Sequence, residues 1–61
     1  MEEVYIVFKG NNIVFVGDDR EDCIIQVAKR YLDDDMEKEL RRYGITKDFT
    51  IESYTRNSFA I

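Results

Sequence analysis

The chain has no histidine and no proline, three glycines, and one cysteine, Cys23. Each shortage closes off a class of protein. One cysteine allows no disulfide within the chain, and without histidine there is no Cys/His set for zinc. A lone thiol fits a reducing compartment, so the expected location is the cytoplasm. The opening Met1-Glu2-Glu3 lacks the basic start and apolar run of a secretion signal. No apolar stretch approaches the roughly 20 residues of a membrane span. No linker, internal repeat or low-complexity run is visible.

Positive charge is also in short supply. Thirteen Asp and Glu stand against nine Lys and Arg, a net charge of −4. Nucleic-acid binding rests on neutralising phosphates, so this balance argues against DNA or RNA as partner. It argues against anionic membranes for the same reason. It favours a basic or apolar docking surface on a larger protein. The same charge also keeps a small protein soluble. The 61 residues make a single small domain, 1–61. A domain of this size buries only about 60% of its unfolded surface, and a partner chain is one source of the missing stability.

The strongest feature present is a hairpin. Glu3–Lys9 and Asn12–Gly17 are rich in β-branched and aromatic residues, and Gly10-Asn11-Asn12 tolerates the positive φ of a tight turn. Neither run alternates with polar residues, so both faces are fit to be hidden. Parity for a two- or four-residue loop groups Ile6, Phe8, Ile13 and Phe15 on one face. This bulkier set is the expected core. Tyr5, Val7, Val14 and Val16 then form a surplus face.

A helix follows from about Asp19 to Leu32. Ile24, Val27, Ala28 and Tyr31 recur at helical spacing, and Asp18 with Glu21 or Asp19 with Asp22 can cap its start. Asp33-Asp34-Asp35 marks a break or bend, because Asp disfavours helix interiors and favours helix starts, with one continuous helix from Asp19 to Tyr43 as the alternative. A second helix runs from about Asp35 to Tyr43, with Arg41 and Arg42 in the last turn and Gly44 as a left-handed cap. A third strand spans about Lys47 to Arg56. Phe49 and Ile51 face the core; Thr50, Glu52 and Tyr54 face away. Phe59-Ala60-Ile61 extends this strand or folds over the surplus face. The expected fold is α+β, ββα(α)β: a three-stranded antiparallel sheet of order 3-1-2 with one helical layer on one face.

Four constellations bear on function. Tyr5, Val7, Val14, Val16 and Tyr54 would form an exposed apolar patch, the usual mark of an interaction site. Asp33, Asp34, Asp35 and Glu37, with Glu39, make a dense acidic patch. Adjacent carboxylates do not match a calcium loop, whose ligands alternate with spacers, and no metal is expected. The patch suits docking onto a basic groove or imitation of nucleic-acid charge. Acids at a helix N-terminus also have a sufficient local reason. Lys9, Arg41, Arg42, Lys47 and Arg56 are the basic set, and the net charge opposes reading them as a phosphate site. Cys23 has no base beside it, and Asp19 and Asp22 would raise its pKa, so it reads as a packing residue. No nucleophile–base pair or phosphate-cradling glycine loop is present, so neither enzymatic activity nor a cofactor is expected.

The order of elements resembles small phage-encoded host-takeover proteins, such as those that bind bacterial RNA polymerase. The resemblance rests on the hairpin, on Asp18-Asp19-Arg20-Glu21-Asp22-Cys23-Ile24 opening the helix, and on Asp48-Phe49-Thr50-Ile51. It implies a compact viral or mobile-element accessory protein that binds and modulates a larger host protein. The alternatives are a homodimer with face-to-face sheets, and an acidic nucleic-acid mimic that blocks a nucleic-acid-binding protein.

Overall fold

The computed structural model describes residues 3–55. The apolar Phe59-Ala60-Ile61 stretch lies outside the described residues. The elements are β1 (Glu3–Lys9), β2 (Asn12–Gly17), α1 (Arg20–Tyr31), α2 (Asp34–Tyr43), β3 (Ile45–Thr46) and β4 (Phe49–Thr55). The strands form one antiparallel sheet of order β2-β1-β4-β3. No helix among the described residues is long and apolar enough to cross a membrane.

Local chemistry explains the element ends. Gly10 takes φ +61 in the β1–β2 turn, and its N–H donates to the Asp48 carbonyl at 2.8 Å. Acids open α1 and bases close it: Glu21 and Asp22 in the first turn, Lys29 and Arg30 in the last. Asp19 holds the N-cap position of α1 without a side-chain capping bond. The acidic triplet does break the helix. Leu32 is extended, and the Asp33 carboxylate accepts from the Met36 N–H at 2.8 Å as the N-cap of α2. Gly44 ends α2 at φ +77.

The expected three-strand order is present as β4-β1-β2, and a fourth strand was missed. The Gly44 carbonyl accepts from the Ile51 N–H at 2.9 Å, so the chain leaves α2 already paired to β4. Ile45 and Thr46 continue that pairing, and Lys47-Asp48 is the return turn. Lys47 therefore belongs to a turn, at φ +42, and does not start a strand.

The expected core of the hairpin needs correction. Val7, read as surplus, is fully buried with Cys23, Ile24, Val27, Leu40, Phe49 and Ile51. Tyr5, Val14 and Phe15 pack against this cluster. Ile13, read as core, is 58% exposed. Two causes combine. First, β1 pairs with β4 so that Val7 faces Ile51, which puts odd positions of both strands under the helices. Second, the β1–β2 register slips: Val7 faces Phe15 and Phe8 faces Ile13, so β2 has one extra residue, Val14. The bulge turns both Val14 and Phe15 inward and sends Ile13 and Val16 outward.

The helix approaches the sheet very closely where Gly17 meets Cys23. The Cys23 thiol sits 4.0 Å from the Tyr5 carbonyl. A Cβ on Gly17 would come within 2.8 Å of the Cys23 Sγ. A helix this close to its sheet needs small or β-branched residues beneath it.

Candidate functional site

The face of the sheet away from the helices is the candidate site. Register places its residues in rows. Ile13, Phe8, Thr50 and Ile45 form one row across all four strands. Val16, Ile6 and Glu52 form the next, and Val4 with Tyr54 a third. Val16 is 53% exposed and Ile45 55%. Val4, Ile6 and Phe8 are half-buried. The apolar residues form a stripe toward β2, and the polar groups lie on β4. The Tyr54 hydroxyl donates to Glu52 Oε1 at 2.5 Å. That bond, helped by burial and the nearby charge, raises the Tyr54 pKa. Beside them Phe8, Gly10, Asn11, Thr50, Glu52 and Tyr54 line a shallow hollow.

The predicted patch residues are split by this arrangement. Val16 and Tyr54 lie on the open face. Val7 lies beneath the helices, with Tyr5 and Val14 packed against the same core. The Tyr5 hydroxyl donates to Glu3 at 3.3 Å. Sequence reasoning missed Val4, Ile6, Phe8, Ile13 and Ile45 as face residues. The signal that could have found them was the parity of Phe49 and Ile51, which fixes the facing of β1 once the two strands pair.

The predicted acidic patch is likewise divided. Asp33 caps α2. Glu37 pairs with Arg41 four residues on, at 2.8 Å. Arg41 reaches across to Glu21 on α1, and Arg20 of α1 donates to the Leu40 and Arg41 carbonyls at 3.3 and 3.0 Å. The start of α1 and the end of α2 are thus clipped together by charge. The hydrogen bond from Arg41, with its charge, holds the Glu21 pKa below the usual carboxylate value against the opposing effect of desolvation. Asp34 and Asp35 stay exposed at the opposite end of α2. Asp35, Lys38, Glu39, Arg42 and Tyr43 line a second hollow, of mixed charge. Among the described residues no group of three or more Cys, Asp or Glu could hold a metal ion. Burial, with Asp22, Asp19 and Asp18 nearby, raises the Cys23 pKa and keeps the thiol protonated.

No protein-family model matches the chain, and no curated protein or solved structure matches it.

Proposed function

We propose that this chain is a non-enzymatic, acidic protein-binding module whose docking surface is the open face of the sheet. One observation carries the reading. Among the described residues the helices cover one face only, and the other presents an apolar group, Ile13 and Phe8 in one row with Val16 and Ile6 in the next, beside Thr50 and Glu52. Contiguous apolar surface rimmed by polar groups is characteristic of interaction sites. The fitting partner is a larger protein with an apolar ridge and a basic group for Glu52. The net charge of −4 would steer such a partner in. The likeness in element order to phage host-takeover proteins points to a host protein of a phage or mobile element as that partner. Face-to-face sheet packing of two copies fits less well, because among the described residues that face offers no cation to meet a second copy's Glu52.

The test is affinity capture with variants at separate places. Thr50→Arg adds bulk and charge at the centre of the open face. Asp34→Lys with Asp35→Lys reverses the exposed acids of α2. The expected result is loss of the captured partner with Thr50→Arg and retention with the α2 pair. The opposite pattern would move the site to α2. Retention by both variants would reject the open face.

A further inference from the structure

The two edges of the sheet differ. The β3 edge is two residues long, which blunts it. The β2 edge is six residues, Asn12–Gly17, with no charged residue and no proline. Among the described residues no strand pairs with its outer side.

The direction of its backbone groups follows from one bond. The Gly10 N–H points to Asp48. Backbone groups alternate sides along a strand, so the even positions of β1 point to β4 and the odd ones to β2. Ile13 faces Phe8 and Val16 faces Ile6. Both therefore turn their N–H and C=O away from β1, to the outside of the sheet.

We propose that β2 pairs antiparallel with β2 of a second copy, about a two-fold axis between Val14 and Phe15. Ile13 then meets the second copy's Val16, and Val16 its Ile13, each pair exchanging two backbone hydrogen bonds. The bulge leaves this as the matching register. Side chains along β2 run outward at Ile13, inward at Val14 and Phe15, and outward at Val16, a sequence that reads the same in both directions. A shift by one residue would set outward chains against inward ones. Charge agrees with the second copy as occupant. The uncharged strands meet without repulsion despite the net −4. The apolar groups Ile13, Phe8, Val16 and Ile6 of the two open faces then adjoin across the seam.

The size of the contact sets its strength. Six residues span about 20 Å and a sheet with its side chains is about 10 Å thick, so roughly 400 Å² is buried in all. Stable interfaces bury about 1,200 Å² or more. The dimer is therefore weak, with half-association expected at about 0.1–1 mM, where only a few kcal/mol are needed.

Sedimentation and amide chemical shifts across a dilution series test this. The expected result is reversible dimerisation with shifts concentrated at Ile13 and Val16. Val16→Pro removes one outward donor and should weaken the dimer at least about tenfold, circular dichroism confirming the fold. Ile13→Lys with Val16→Lys sets like charges opposite and should abolish it. Ile13→Lys with Val16→Glu sets opposite charges together and should restore it. A wild-type monomer at millimolar concentration would overturn the proposal. So would equal behaviour of the two double variants, or dilution shifts confined to α2. None of these results touches the face reading, whose probe, Thr50, lies two strands from this edge.

Discussion

The two faces of this sheet are built from the same kinds of residue and have opposite roles. Val7, Phe15 and Ile51 face the helices; Ile6, Phe8, Ile13 and Val16 face away. Hydrophobicity does not separate them, since Tyr5, Phe15 and Phe49 on the covered side are matched by Ile6, Phe8 and Ile13 on the other. Proximity does. α1 lies close enough to leave no room for a Cβ at Gly17 beside Cys23, and Val7 and Cys23, where the layers meet, are fully buried.

The comparison can be broken most severely from the covered side. Leu40→Ala or Ile24→Ala should cost about 2–5 kcal/mol in urea unfolding, since both side chains are fully buried. Gly17→Ala tests the close approach itself. Its added methyl meets the Cys23 sulfur, and the expected loss is about 1–3 kcal/mol. Adding Cys23→Ala should recover part of that loss in a double-mutant cycle. Additive losses would show that the clash is not what makes Gly17 necessary.

Smaller effects come from the helix ends. Asp33→Ala removes the cap of α2 and should cost about 1 kcal/mol, with Asp33→Ser recovering most of it. The Glu21–Arg41 clip contributes a pH-dependent increment. The folded-state pKa of Glu21 is depressed, so its contribution is present above the unfolded value and lost as pH falls below about 4.5. Both partners are largely exposed, so the effect is small and weakens with salt. Glu21→Gln should therefore flatten the acid limb of a stability–pH curve and change little at pH 7. The smallest change is expected on the open face: Val16→Thr should shift stability by no more than about 0.5 kcal/mol. A loss as large as that at Leu40 would mean this face is covered in the isolated protein.

Much of the fold was legible because its signals are local. Gly10 beside Asn11 announced the hairpin, the acidic triplet a helix start near Asp35, and Gly44 its end. The pairing of the last long strand with the first was also legible, since antiparallel neighbours need only short returns. The two-residue β3 was not, because Ile45-Thr46 has no periodicity of its own and is a strand only through Gly44 and Ile51. The candidate site was half legible. Thr50, Glu52 and Tyr54 were read onto the side away from the core, and Phe15 and Val16 were faced as found, but the facing of β1, Ile13 and Val14 was inverted.

That inversion separates what the chain determines locally from what only packing decides. Turn residues, caps and helical periodicity act within a few positions, so the amino-acid sequence by itself set the helical stretches, the Gly44 end and the hairpin. Which side of a strand is inside depends on its register with a strand forty residues away, and on how near a helix can come. In β2 it depends also on one extra residue, Val14, that the run Ile13-Val14-Phe15-Val16 does not mark. When every position is apolar, period-two parity carries no information about facing. The tertiary structure chose the face, because only there do β4, the bulge and the helices meet.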